Sequence, residues 1–203
     1  MNFDVVIIGA GPGGCRAAKV LAGAGKSVAL VSQTLGGECL NYGCIPTKTY
    51  LWATELFEKI SEAENFGLKT ATPQLDWEAM KQRRKQVVEK LKKGLKFTLE
   101  RAGVKIFSGR GELTSPTSVK VTSESGTEIF ETKTIILATG SRAVFPKGFE
   151  SGEKFVTSHE ILDLPNVPKT LLIIGGGAVG GEFASIFSAR GSQVTLAEMA
   201  DRR

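Results

Sequence analysis

Two glycine-rich turns constrain what this chain can fold into more than any other feature. Gly9-Ala10-Gly11-Pro12-Gly13-Gly14 follows a short apolar run over residues 4 to 8, and Gly175-Gly176-Gly177-Ala178-Val179-Gly180 follows Leu171-Leu172-Ile173-Ile174. Each turn opens a helix-forming stretch, about 15 to 24 in the first copy and 182 to 189 in the second. A further β-rich run closes each unit, at 27 to 31 and at 193 to 197. Strand, G-x-G-x-x-G turn, helix and strand in that order make a β-α-β unit that holds a dinucleotide. The first glycine (Gly9, Gly175) permits the tight turn, and the second (Gly11, Gly177) lets the backbone approach a pyrophosphate. The third (Gly14, Gly180) allows the helix to pack closely on the strand. Unpaired N–H groups and the helix dipole then favour the phosphate charge at the helix start. Two copies predict two dinucleotide sites.

An acidic residue some twenty positions after each turn is expected to meet a ribose, and here the copies part. Glu198 ends the closing strand of the second copy, where a carboxylate favours NAD over NADP. Arg202 and Arg203 stand nearby with the opposite charge. In the first copy the matching positions are Ser32 and Gln33, which carry no acid.

Between the two units the pattern predicts a helical segment over 35 to 56 and a basic amphipathic helix over 81 to 101. Short strands follow at 104 to 107, 118 to 122 and 127 to 131, then a buried-type strand over 134 to 138 that ends at Thr139-Gly140. Pro146, Gly148, Gly152, Pro165 and Pro168 punctuate a connecting stretch. The expected division is a first domain over 1–145 and, over 146–203, a linker with the beginning of a second domain. An open parallel sheet needs more strands than the second unit supplies, so that domain is expected to be cut short.

The net charge of +5 raises the question of nucleic acid. Much of the excess sits on the 81–101 helix, at Lys85, Lys90, Lys92, Lys93 and Lys96, opposite Val87, Val88, Leu91, Leu95 and Leu99. That is a solvated face without interleaved aromatic rings, so no nucleic-acid partner is expected. No apolar run approaches the roughly 18 residues of a membrane span, and the N-terminus lacks a secretory pattern. A cytoplasmic location is the expectation.

Cys39 and Cys44 lie five apart near a helix start, after Gly36 and Gly37, with Lys48 one turn after Cys44. A thiolate there is favoured by the helix N-terminus and by the nearby cation. A redox pair is the better reading, ahead of a metal site. A metal would need two further thiol or imidazole ligands, and the one histidine, His159, lies far off in sequence. His159 reads as a surface or locally hydrogen-bonded residue, and Cys15 as core packing.

Gly-Gly-x-Cys-x4-Cys-Ile-Pro-Thr-Lys after the first unit, Ala138-Thr139-Gly140-Ser141, and Gly180-Gly181-Glu182-Phe183 in the second resemble the class I pyridine nucleotide-disulfide oxidoreductases. The resemblance runs collinearly through essentially the whole chain and is strongest to the dihydrolipoamide dehydrogenases. It implies an α/β fold: a FAD-binding Rossmann-like domain with a small β-meander insertion, then the start of a second Rossmann-like, NAD-binding domain. It implies FAD beside Gly9, Gly11, Gly14, Ser32, Gln33, Gly36, Gly37, Lys48, Gly111, Thr139, Gly140 and Ser141. NAD would lie at Gly175, Gly177, Gly180 and Glu198.

By the same resemblance Cys39 exchanges with the substrate disulfide, Cys44 lies beside the flavin, and Lys48 pairs with Glu182. Electrons from dihydrolipoamide then reach NAD+ through a Cys39–Cys44 disulfide and FAD. The implied partners are the lipoyl domain of a 2-oxoacid dehydrogenase or glycine cleavage complex, and a second subunit in a homodimer. The family's acid–base His-Glu pair has no counterpart here, so this chain alone is expected to turn over little substrate. The alternatives are an NADPH-dependent enzyme like glutathione or mercuric reductase, and a non-catalytic flavin- or nucleotide-binding fragment.

Overall fold

The computed structural model describes residues 1–150, 152 and 154–201. They group into two compact units, Met1–Asn41 with Val88–Arg142, and Tyr42–Val87 with the described residues from Ala143 onward.

In the first unit, β1 (Asn2–Ile8), β2 (Val28–Ser32) and β3 (Lys105–Ser108) run parallel, with β1 also parallel to β6 (Gly126–Leu137). Val28, Ala29, Leu30 and Val31 are all buried, the unbroken apolar run of a strand covered on both faces. On one face Val5, Ile7, Val28 and Leu30 pack with Cys15 and Ala18 of helix α1 (Pro12–Gly23) and with Leu99 of α4 (Trp77–Arg101). On the other, Val6, Ile8, Ala29 and Val31 meet Val119, Val121 and Phe130. Those last residues come from a β-meander of β4 (Arg110–Ser115), β5 (Ser118–Ser123) and the first half of β6. Among the described residues the six strands form one sheet in the order β3-β2-β1-β6-β5-β4. The fold is thus α/β with a mostly parallel sheet, a Rossmann-like unit with a meander.

Three local expectations are corrected. Strand β4 was not expected, because Arg110, Glu112 and Ser115 break the apolar pattern; as an edge strand it needs little apolar surface. The runs at 127 to 131 and 134 to 138 are one strand. Polar Thr132 lies buried within it and satisfies its hydroxyl by donating to the carbonyls of Asp4 (3.1 Å) and Thr134 (3.0 Å). β6 therefore pairs with β5 up to Glu131 and with β1 from Glu131 onward. The helix expected over 35 to 56 is two helices, α2 (Gly37–Asn41) and α3 (Cys44–Ser61), broken at Tyr42-Gly43.

The second unit contains α3, the first turns of α4, and a two-stranded parallel sheet of β7 (Thr170–Ile174) and β8 (Gln193–Ala197). Helix α5 (Ala178–Ser188) connects the two strands. Phe183, Ile186 and Phe187 of α5 form its core with Tyr50, Met80, Ile161 and Leu162. The connecting stretch is tied down by its carbonyls. Leu162 O accepts from Tyr50 Oη (2.8 Å) and Arg84 Nη1 (3.2 Å), and Leu164 O from Trp77 Nε1 (2.8 Å). Arg84 is 6% exposed, so the basic helix is not solvated all along its charged face. Leu91, expected on the apolar side, is instead exposed. No helix among the described residues is long and apolar enough to cross a membrane.

Candidate functional site: two dinucleotide turns and a redox segment

In the first unit the carboxyl ends of the parallel strands converge on the first glycine turn. Gly9 has φ 108°, a left-handed value that glycine adopts without strain, and its N–H donates to Val31 O at 2.8 Å. A Cβ on Gly9 would overlap the Ala138 carbonyl, and one on Gly14 the Gly9 carbonyl. A Cβ on Gly37 would come within 2.6 Å of Gly11 Cα, and one on Gly111 within 3.2 Å of the Ile8 side chain. Gly36 donates its N–H to Ala10 O at 2.7 Å. The structure therefore brings Gly9, Gly11, Gly14, Gly36, Gly37 and Gly111 to one place, with Thr139, Gly140 and Ser141 leaving the end of β6 as exposed residues. That is the switch point where an open α/β sheet binds its ligand, since β2 and β6 flank β1 on opposite sides.

Helix α1 begins at Pro12 with Gly11 as an extended N-cap and no side-chain cap. Its first-turn N–H groups thus face the turn without a side-chain acceptor, as a pyrophosphate requires. At the end of β2, Ser32 Oγ donates to Thr34 O (2.8 Å) and accepts from Thr34 N–H (3.4 Å). Gln33 is exposed and lines an open depression of about 840 Å³ with Phe107, Ser108, Gly109, Thr122 and Glu128.

The second turn repeats this backbone. Gly175 has φ 108° and donates to Ala197 O at 2.8 Å, and Gly177 is the extended, uncapped N-cap of α5. A Cβ on Gly180 would overlap the Gly175 carbonyl. Glu198 closes the turn: Oε1 accepts from Ala200 N–H (2.8 Å) and Oε2 from Gly176 N–H (2.6 Å). Those two backbone donors hold its carboxyl below the usual glutamate range. Arg202 and Arg203 lie outside the described residues.

The redox segment is divided between the units. Cys39 lies on α2 in the first and Cys44 opens α3 in the second. All three cysteines are present as thiols, Cys15 buried, Cys39 half-buried and Cys44 exposed, so the Cys39–Cys44 disulfide is not a feature of this structure. Cys15 donates to Ala10 O at 3.1 Å, and burial pushes its thiol pKa up, as its packing role predicts. Thr47 holds the approach to α3, donating from both N (3.1 Å) and Oγ1 (2.8 Å) to Gly43 O. One turn after Cys44, Lys48 Nζ meets Glu182 Oε1 at 2.5 Å.

Sequence reasoning did not foresee the stacking of Tyr42 on His159, with ring centroids 4.4 Å apart and planes 13° from parallel. His159 precedes a 3-10 helix over Glu160–Asp163, and nothing in its sequence spacing signals contact with the residue two before Cys44. Among the described residues no group of three or more His, Cys, Asp or Glu side chains is placed to hold a metal ion.

A protein with two Rossmann-type turns, and a cysteine segment leading from the first, belongs to the dinucleotide-binding redox class. The sequence profile of the pyridine nucleotide-disulphide oxidoreductases matches residues 3–203, and the chain belongs to that family. It is 41% identical to a dihydrolipoyl dehydrogenase of Acholeplasma laidlawii, covering 98% of this chain and 60% of that one. It is also 41% identical to the dihydrolipoyl dehydrogenase of Zymomonas mobilis, covering 98% of this chain and 43% of that one. Among solved structures, the Cu(II) complex of the HOCl-induced flavoprotein disulfide reductase RclA from Escherichia coli superimposes with a TM-score of 0.83. Identity there is 31%, over 98% of this chain and 42% of that one. The chain thus spans about half the length of the relatives it matches.

Proposed function

We propose that this chain carries the flavin and dithiol part of a dihydrolipoamide dehydrogenase, with FAD in the first unit and NAD in the second. The reaction is dihydrolipoamide and NAD+ giving lipoamide, NADH and a proton. The observation that carries the reading is the Lys48–Glu182 pair: it sets a cation one helical turn after Cys44 and links the redox helix α3 to the helix of the second dinucleotide turn.

The residues present fit both cofactors. Gly9 and Gly14 leave no room for side chains beside the turn. A Cβ on Gly11 would meet only Gly37 Cα, at 3.9 Å, so its lack of a side chain keeps the approach of a pyrophosphate open. Gly36, Gly37, Gly111, Thr139, Gly140 and Ser141 border the same place. Ser32 and Gln33 stand where the ribose would lie. Gly175, Gly177, Gly180 and Glu198 repeat the arrangement for NAD. When bound, FAD and NAD+ supply the two-electron oxidant that returns the cysteine pair to its disulfide.

The chain's own chemistry is thiol–disulfide exchange. One substrate thiolate attacks Cys39 Sγ of the oxidised pair, the Cys39–Cys44 bond breaks, and Cys44 leaves as a thiolate. The second substrate thiol then attacks the mixed disulfide, releasing cyclic lipoamide and the Cys39 thiol. Two electrons pass to the cysteines. Cys44 departs as the first residue of α3, with Lys48 one helical turn further along the same helix. Glu182 orients the Lys48 ammonium. The lipoyl domain of a 2-oxoacid dehydrogenase or glycine cleavage complex is the proposed carrier of the substrate. A homodimer of the whole enzyme in the cytoplasm is the proposed setting. Glu198 favours NAD and so speaks against an NADPH-dependent glutathione or mercuric reductase.

The test is an absorbance spectrum with a thiol titration. A bound-flavin band at roughly 450 nm, with two additional titratable thiols after mild dithiol treatment of the oxidised protein, is expected. Loss of those thiols in both Cys39→Ser and Cys44→Ser would fit the pair. A colourless protein whose thiol count never changes would favour a nucleotide-binding fragment without redox chemistry.

A further inference from the structure

The two dinucleotide turns share a backbone and differ by one charge. Ser32 and Glu198 hold the same place, each directly after the residue whose carbonyl accepts the N–H of the turn's first glycine. Each also accepts the N–H two residues further on, Thr34 for Ser32 and Ala200 for Glu198. The serine keeps the turn contact without the carboxylate. Its single proton is spent on Thr34 O, so what remains to offer a ligand is uncharged lone pairs. Its immediate neighbours add no charge: Gln33 and Thr34 follow it, and its cross-strand neighbour on β3 is Ser108. The acids at this end, Glu124 and Glu128, lie across the depression that Gln33 and Ser108 also line.

We propose that Ser32 leaves the ribose contact of the first site without a carboxylate, so that this site accepts a dinucleotide phosphorylated at the adenosine 2′ position nearly as well as the unphosphorylated one. The second site, with Glu198, discriminates between them. The inference rests on the reading that the first unit binds FAD. Its physical basis is the difference between a hydroxyl and a carboxylate. A carboxylate makes the stronger hydrogen bond to a ribose hydroxyl and repels a phosphate in the same place. Ser32 does neither, so FAD is also held less tightly than a carboxylate would hold it.

Fluorescence titration of the flavin-free protein tests this without any activity measurement. The probes are FAD and FAD carrying a 2′-phosphate on its adenosine ribose. In the parent the two dissociation constants are expected within about threefold of each other. In Ser32→Glu, FAD is expected to bind about tenfold more tightly. The phosphorylated probe should then be disfavoured by at least about tenfold. A parent that rejects the phosphorylated probe by more than about tenfold overturns the proposal, as does a Ser32→Glu variant that keeps the parental ratio. If that variant fails to fold, the parental ratio alone decides. Binding of neither probe would overturn the flavin reading itself and this inference with it.

Discussion

Lys48 and Glu182, separated by 134 residues in sequence, form an ion pair with Nζ and Oε1 2.5 Å apart. The pair is partly open to solvent, 59% exposed at the lysine side chain and 26% at the glutamate, so its contribution to stability is small, about 0–1 kcal/mol. Its value lies in fixing the cation near Cys44. In a double-mutant cycle of Lys48→Met and Glu182→Gln, melting is expected to report a coupling below about 1 kcal/mol. Alkylation of Cys44 by anionic iodoacetate, relative to neutral iodoacetamide, should slow about threefold in Lys48→Met, because the cation one helical turn away no longer attracts the reagent's charge. A large coupling with unchanged alkylation would make the pair structural.

The glycine turns give a sharper stability test. Gly14→Ala would drive its Cβ into the backbone carbonyl of Gly9, which cannot move without unmaking the turn. A loss of about 2–4 kcal/mol is expected from chemical denaturation. Its neighbour Gly13 has nothing within 4 Å of a built Cβ, and it also lies in α1. Gly13→Ala is expected to stabilise by about 0.5–1 kcal/mol, because alanine loses less conformational freedom in a helix. If the two substitutions cost the same, the turn is not packed as described.

These turns were legible from sequence because their requirement is local: glycines at fixed spacing between a strand and a helix. The Lys48–Glu182 pair was legible only through family resemblance, since spacing cannot bring residue 48 to residue 182. Arg84 misled the pattern. On a helix rich in lysine it looks like one more solvated cation, yet it is buried because Asp163 and the Leu162 carbonyl satisfy it from a distant stretch. The Tyr42–His159 stack was hidden for the same reason. Thr132 misled in the opposite sense, a polar residue that seemed to end a strand but lies buried inside one, with its hydroxyl satisfied.

The Arg84–Asp163 contact carries a pH dependence. Arg84 donates to both carboxylate oxygens, Nη2 to Oδ1 at 2.7 Å and Nη1 to Oδ2 at 3.1 Å. That bond, chiefly, holds the Asp163 carboxyl below its ordinary value of 3.8. A depressed folded-state pKa contributes stability that is present above the unfolded value and lost as pH falls through the folded one. The parent should therefore lose this contribution as pH drops below about 4. Asp163→Asn is expected to be about 1–2 kcal/mol less stable at pH 7. The gap should close in denaturation curves taken at low pH. A gap that persists unchanged at pH 2 would assign the effect to packing rather than to charge.

Glu198 should show its charge in cofactor choice. Ala200 and Gly176 N–H groups hold its carboxyl below the usual 4.5, so it remains ionised throughout the neutral range. Discrimination against NADP is then expected to rise through about pH 6, where the 2′-phosphate takes its second charge, and to level off above it. It should fade as pH drops below about 4, when the carboxylate protonates. Glu198→Gln keeps an acceptor for one of the two backbone N–H groups and removes the repulsion. Binding measured calorimetrically should shift the NAD-to-NADP ratio about five- to tenfold toward NADP, and more at low than at high ionic strength, because the site is open to solvent. A ratio that ignores both the substitution and the salt would mean that the ribose phosphate is read by other residues. Glu198 would then serve only to brace Gly176 against the closing turn.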